Sequence, residues 1–298
     1  GAAEAGGRFV VSLRDFDFVE PVSVSEVCAL LTEDPNGSTI FAGGTDILVD
    51  LKAGVKNYRR LISLGRIEEL TGIEVNADGA LQIGAMATIN TVARHEGIAD
   101  LFPGINDAAM SLAAEQVRNQ ATVAGNLCMA VPSADMAPIL LAHGAVLRVV
   151  SPSGERAIPV REFFVGPRET VLDAADVVVA IDVPAPEPGT GGASLRQGGR
   201  KSLSLPMAAA AAVVVMDGKL CREAAVALGA VAPVPIVAAA AGEAVVGKEL
   251  SEDVLREVGE MAAEAAVPID DLRATKEYRL ELVKVLTRRV LVAAAERA

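Results

Sequence analysis

Apolar positions in this chain come in short runs whose spacing switches repeatedly between that of a helix and that of a strand. Pro21–Leu31 opens with Ser23 and Ser25 and continues at helical spacing, which predicts a capped helix closed by the turn Asp34-Pro35-Asn36-Gly37. Ser38–Ala42 reads as a short apolar strand running into Gly43-Gly44-Thr45-Asp46. Ile47–Lys52 then reads as helix and Arg60–Ser63 as a short buried strand. These runs make a first unit, residues 8–65, behind a flexible tail at 1–7.

The pattern changes over 66–185. Gly72–Val75 and Ala80–Ile83 flank the turn Asn76-Ala77-Asp78-Gly79 and predict a hairpin. Thr88 caps a predicted helix reaching Glu96, Gly104–Ala114 is a second, and Ala145–Val150 and Val177–Val183 are strands. Pro184, Pro186 and Pro188, then Gly189, Gly191, Gly192, Gly198 and Gly199, predict a linker over 186–200, because that composition disfavours both helix and central strand. In 201–298, Ala211–Met216 and Glu223–Leu228 read as strands, and Ser251 caps a helix over Glu252–Ala265. Lys276–Glu296 reads as a long amphipathic helix whose charged pairs up to Arg289 form a solvated face.

Composition narrows the picture. Of the 298 residues 51% are hydrophobic, so a core can be buried, but Trp is absent and Tyr numbers two, so that core is built from Ala, Val and other aliphatic side chains. The net charge of −12 argues against nucleic acid or an anionic membrane as partner. The apolar stretches Met207–Met216 and Ala224–Val246 are too short or too broken by Pro233, Pro235 and Gly242 to span a bilayer. Cys28, Cys128 and Cys221 are isolated, which predicts neither a disulfide framework nor a metal cluster in this chain and fits a cytoplasmic setting without a secretory leader.

Two polar segments carry candidate chemistry. In Ala42-Gly43-Gly44-Thr45-Asp46, adjacent glycines between strand and helix let backbone N–H groups approach and cradle a pyrophosphate. The same residues also suit a plain turn with a Thr or Asp cap. In Thr122-Val123-Ala124-Gly125-Asn126-Leu127, a hydroxyl, a glycine and an amide fall within five residues. Pro132-Ser133-Ala134-Asp135 follows, and Asp135 suits either a ribose hydroxyl or the cap of a helix starting near Met136. No GxGxxG occurs.

Together these segments resemble the FAD-binding subunit of the molybdenum hydroxylases, the family of the medium subunit of aerobic carbon monoxide dehydrogenase and the flavin part of xanthine dehydrogenase. The resemblance runs from about Phe9 to Val292. It rests on the AGGTD segment with Lys52 after it, and on a T-[IV]-G-G-N pattern followed by P-x-x-D, with Ala124 here in place of the first glycine. Glu162-Phe163-Phe164-Val165-Gly166-Pro167 and the run Asp271–Arg279 match as well. The resemblance implies an α+β fold: a two-subdomain FAD-binding domain of the PCMH type, then a C-terminal α/β domain of the CO dehydrogenase flavoprotein type.

It also implies residue roles. Ala42, Gly43, Gly44, Thr45 and Asp46, flanked by Phe41 and Ile47, would hold the FAD pyrophosphate. Thr122, Gly125 and Asn126 would hold its other side, Asp135 a ribose hydroxyl, and Ala113 would touch the cofactor. Cys128, Val178 and Arg196 fall at positions near the isoalloxazine ring, Cys128 being read as a small buried apolar residue rather than a redox thiol. No catalytic acid or base is implied. The implied partners are a large molybdenum–pterin subunit and a small subunit with two [2Fe-2S] clusters, in a dimer of heterotrimers that passes electrons to NAD, a quinone or another acceptor. The implied substrate is a purine, aromatic or N-heterocycle bound elsewhere. The alternatives are a stand-alone flavin oxidoreductase of the same fold and a flavin-free assembly subunit.

Overall fold

The computed structural model describes residues 13–200 and 202–298; the tail assigned to 1–7 lies outside them. The first elements are β1 (Asp17–Val19), α1 (Val24–Glu33), β2 (Ser38–Phe41), α2 (Ile47–Lys52) and β3 (Arg60–Ser63). The three strands form a parallel sheet in the order β1-β3-β2. Ser23 caps α1 through the Glu26 N–H, and the helix buries Val27, Cys28 and Leu31, the one-sided spacing that its sequence carries. Those residues meet Ile62, Leu64, Ile67 and Leu70 in a small core of their own.

The middle of the chain holds β4 (Ile73–Val75), β5 (Leu81–Gly84), α3 (Ile89–Ala93), α4 (Glu96–Leu101), α5 (Pro103–Ser111), α6 (Glu115–Arg118), α7 (Val123–Cys128), α8 (Ala137–Ala142), β6 (Val146–Ser151), β7 (Gly154–Pro159), β8 (Phe164–Gly166), β9 (Glu169–Thr170) and β10 (Val177–Val183). A five-stranded sheet runs β4-β5-β10-β6-β7, and β8 and β9 form a separate hairpin. Thr88 caps α3 and His95 caps α4, each accepting a backbone N–H, while α8 ends at His143 before Gly144 turns the chain at φ +65°. Helices α3 to α8 and the sheet share the largest core, with Phe102, Ile105, Leu127, Met136 and Phe163 fully enclosed.

The last part comprises β11 (Thr190–Gly198), β12 (Pro206–Asp217), β13 (Leu220–Gly229), β14 (Ile236–Val237), α9 (Ala239–Glu243), α10 (Glu252–Ala265) and α11 (Lys276–Ala295), with an antiparallel sheet in the order β11-β12-β13-β14. Both faces of β12 are buried. Ala208, Ala210, Ala212 and Val214 face the core shared with α10 and α11, whereas Ala211 joins the middle core. Successive strand residues point to opposite faces, so a run of small side chains lets helices press on the sheet from both sides.

Two expectations are corrected here. The stretch predicted as linker contains β11, a nine-residue edge strand. Glycine here serves close approach rather than flexibility: a Cβ at Gly191 would collide with the Ala294 carbonyl of α11, and on the facing helix α5 one at Gly104 would lie 2.9 Å from the Ala193 nitrogen of β11. The face of α11 predicted as solvated is broken by Arg279, which is buried. Its guanidinium donates to the carbonyls of Met207 and Ala230 and to Asp271 at 2.8 Å.

Candidate functional site

The parallel strand β2 ends at Phe41, and the chain crosses Ala42, Gly43 and Gly44 before entering α2. Gly44 has φ +72°, a conformation that costs glycine nothing, and its carbonyl accepts the N–H of Leu48. Gly43 packs so tightly on the backbone of Gln120 and Ala121 that any Cβ would collide with the Gln120 carbonyl. That contact joins the first motif to the second, which starts one residue later.

Thr122 is buried and caps α7, its hydroxyl accepting the Gly125 N–H at 3.0 Å. Its strand-like backbone is fixed by a bridge to Thr88 and by the Ile89 N–H donating to the Ala121 carbonyl. Asn126 Oδ1 accepts the Met136 N–H at 3.2 Å, which ties α7 to the start of α8. Asp135 does not cap α8. Its Oδ1 accepts from Nη1 of Arg196 at 2.9 Å, and both side chains are nearly buried. Burial pushes the Asp135 carboxyl up to about 6, with Arg196 opposing the rise. Arg196 also donates to the carbonyls of Ser111 and Ser204, so it binds the end of α5, the segment before α8 and the loop after β11 together.

That loop and the end of α5 border an open cavity of about 610 Å³, lined by Ser111, Ala113, Arg118, Arg196, Arg200 and Ser202 among others. Among the described residues, three arginines and no carboxylate line it, in a chain with a net charge of −12. Ala113 holds φ +44°, and its carbonyl accepts from Leu203 N–H and the Ser202 hydroxyl. The Nε of Arg118 is buried without a hydrogen-bond partner among the described residues. Asp46, heading α2, has its carboxyl raised by burial, which Arg168 opposes.

Gly43 thus adjoins Gln120 and Ala121, the two residues before Thr122, while Arg196, which lines the cavity with Ala113, also holds Asp135. Val178 lies in the core under α7 and not at the cavity wall. Cys128 is not a buried filler: it meets solvent at the end of α7. Protein atoms packed around it displace part of the water a thiolate needs, and this desolvation pushes its thiol up to about 12. Arg118, Ser111, Ser202 and Arg168 had no place in the motif reading. Arg118 had a signal, as the only Lys or Arg between Arg94 and Arg148.

A glycine cradle where a Cβ has no room, a hydroxyl-capped helix beside it, and an adjoining cavity edged with guanidinium groups fit an elongated anionic ligand such as FAD.

Comparison with known proteins agrees. Residues 14–186 match the family model described as FAD binding domain in molybdopterin dehydrogenase, and residues 193–294 match the CO dehydrogenase flavoprotein C-terminal domain. The chain is 30% identical to the xanthine dehydrogenase FAD-binding subunit of Escherichia coli O157:H7 over 280 residues, 93% of this chain and 96% of that one. It is 30% identical to the carbon monoxide dehydrogenase medium chain of Afipia carboxidovorans, covering 95% and 98%. Among solved structures it superposes on a Cu,Mo-CO dehydrogenase chain with a TM-score of 0.91, at 30% identity, over 96% of this chain and 99% of that one. Quinoline 2-oxidoreductase from Pseudomonas putida 86 gives 0.90, also at 30% identity, over 96% and 98%.

Proposed function

This chain belongs to the FAD-binding subunits of the molybdenum hydroxylase family, components of oxidoreductases, and from that premise we propose that it is the electron-transfer subunit of a heteromeric complex. The carrying observation is the junction of the two motifs, where Gly43 is seated on the backbone of Gln120 and Ala121, the two residues before Thr122. Backbone N–H groups around Gly43 to Thr45 and at the start of α7 would hold the FAD pyrophosphate. Asn126 and Asp135 would take up the adjoining hydroxyls. Ala113 and Arg196, at the cavity, would face the ring, with Cys128 beside the cleft and Val178 supporting α7 from below.

FAD, when bound, supplies the means of converting single-electron input into two-electron output. The chain's own residues position the cofactor and exclude water from part of it. In this reading electrons arrive from a small partner bearing [2Fe-2S] clusters, after a large molybdenum–pterin partner has oxidised a purine, aromatic or N-heterocycle. They leave to NAD, a quinone or another external acceptor. The assembly is a dimer of heterotrimers working in the cytoplasm. Three unpaired thiols accord with a reducing compartment.

The test is to purify the full chain alone and with its partners. Heat release should yield FAD from the single chain, which should contain no iron, and iron–sulfur absorption should appear only with the partners. A folded chain that neither retains nor rebinds FAD would leave the flavin-free assembly reading. Flavin reduction by substrate in the isolated chain would favour a stand-alone oxidoreductase.

A further inference from the structure

Arg168 touches both sides of the proposed nucleotide cleft. It lies in the tight turn between β8 and β9, directly after Pro167, with φ +63°. Proline followed by a positive φ is the pattern of a type II turn, whose third position favours glycine because an L side chain crowds the backbone there. From this turn the Arg168 N–H donates to the Ala130 carbonyl at 2.8 Å, two residues beyond the end of α7. Its Nη1 donates to Oδ2 of Asp50 at 2.7 Å, on the helix into which the glycine pair leads.

Asp50 gives this contact its weight. It is the one buried residue of α2, whose other side chains are half-buried or exposed. The helix is therefore anchored through a charge rather than through an apolar face. An ion pair on open surface contributes little. Here the carboxylate side chain is 13% exposed, and removing its partner would strand it. The field of Arg168 also reaches Asp46 at the head of the same helix, where it opposes the effect of burial. Strain held in a non-glycine residue persists where the surroundings demand it and points to a role.

We propose that Arg168 is a positioning residue for FAD, a strut that ties α2 and the Gly43–Thr45 loop to the end of α7 and so sets the width of the cleft. The proposal rests on the flavin reading for its ligand, though not for its mechanics.

The test uses the full chain and FAD. Dissociation constants are measured for the wild type, Arg168→Gly, Arg168→Lys, Asp50→Asn and the double variant Arg168→Gly/Asp50→Asn. Glycine accepts φ +63° freely, so Arg168→Gly removes the guanidinium while easing the turn. Each single variant except Arg168→Lys should weaken FAD binding by about 10-fold, and the double should lose no more than either single, as expected of coupled partners. Arg168→Lys should regain part of the loss by restoring the charge. Hydrogen exchange in FAD-free protein should quicken over 44–54 in Arg168→Gly and stay unchanged in α10. Wild-type affinity in Arg168→Gly, or additive losses in the double variant, would overturn the strut. If the wild-type chain binds no FAD, the flavin reading falls while exchange still decides the strut: faster exchange in α2 supports it, and unchanged exchange removes it.

Discussion

Nη1 of Arg196 and Oδ1 of Asp135 stand 2.9 Å apart, joining β11 to the segment that leads from the second motif into α8. The pair is nearly buried, and its carboxyl sits at about 6 against an ordinary 3.8. A raised carboxyl favours the protonated folded state. The penalty for charging Asp135 is absent below the ordinary value, grows as pH rises toward about 6, and is complete above it. The rise corresponds to on the order of 3 kcal/mol. Asp135→Asn should therefore flatten the fall in stability between about pH 4 and pH 6, gaining on the wild type as pH rises. Thermal midpoints of both proteins across that range provide the check. Parallel curves would mean that Asp135 does not titrate there. The same variant should bind FAD more weakly, since its carboxylate would no longer be available to a hydroxyl.

Gly43 and Gly72 make a matched pair for testing the cradle. A Cβ at Gly43 would collide with the Gln120 backbone, which cannot move aside as a flexible side chain could, whereas a Cβ at Gly72 meets nothing within 4 Å. Overpacking of this kind costs about 1–3 kcal/mol. Gly43→Ala should lose most of its flavin on gel filtration, while Gly72→Ala should keep it. Equal flavin content in the two variants would disconnect the glycine loop from the cofactor.

Much of this was legible from residue order. The strand Val177–Val183 and the helix Glu252–Ala265 capped by Ser251 coincide with their predicted bounds, because apolar spacing and a cap are local signals. The two motifs were legible only as a pair. The Gly43–Gln120 contact that unites them spans 77 positions and leaves no local trace. β11 was hidden for a related reason. Glycines in a loop and glycines beneath a helix look alike until Ala294 is placed over Gly191. Arg168 follows a proline as any turn residue does, and its role emerges only from its two distant partners, Ala130 and Asp50.

The buried guanidinium of Arg279 predicts a stability defect remote from the cleft. Its side chain is 4% exposed and depends on Asp271 and two carbonyls. Asp271→Ala leaves a buried cation without its counter-ion, an imbalance that costs about 3–5 kcal/mol. The variant should melt well below the wild type, whereas Arg273→Ala, which removes an exposed partner of the same carboxylate, should change the midpoint little. Similar midpoints for Asp271→Ala and the wild type would show that the carbonyls of Met207 and Ala230 suffice.

Cys128 separates access from reactivity. Its side chain meets solvent, so a reagent can reach it, but burial of its surroundings pushes the thiol up to about 12. Thiolate is the reacting form, and at neutral pH almost none is present. Labelling by iodoacetamide, followed by mass spectrometry of the peptide containing Cys128, should be far slower than for an unstructured cysteine peptide, and should still be rising with pH where the peptide has levelled off. Cys128→Ala should keep its FAD and its rate of reduction by the partner subunits, because a thiol held protonated is a poor nucleophile and a poor electron donor. Rapid labelling at neutral pH that is blocked by FAD would place a thiolate against the flavin and restore a redox role to this residue.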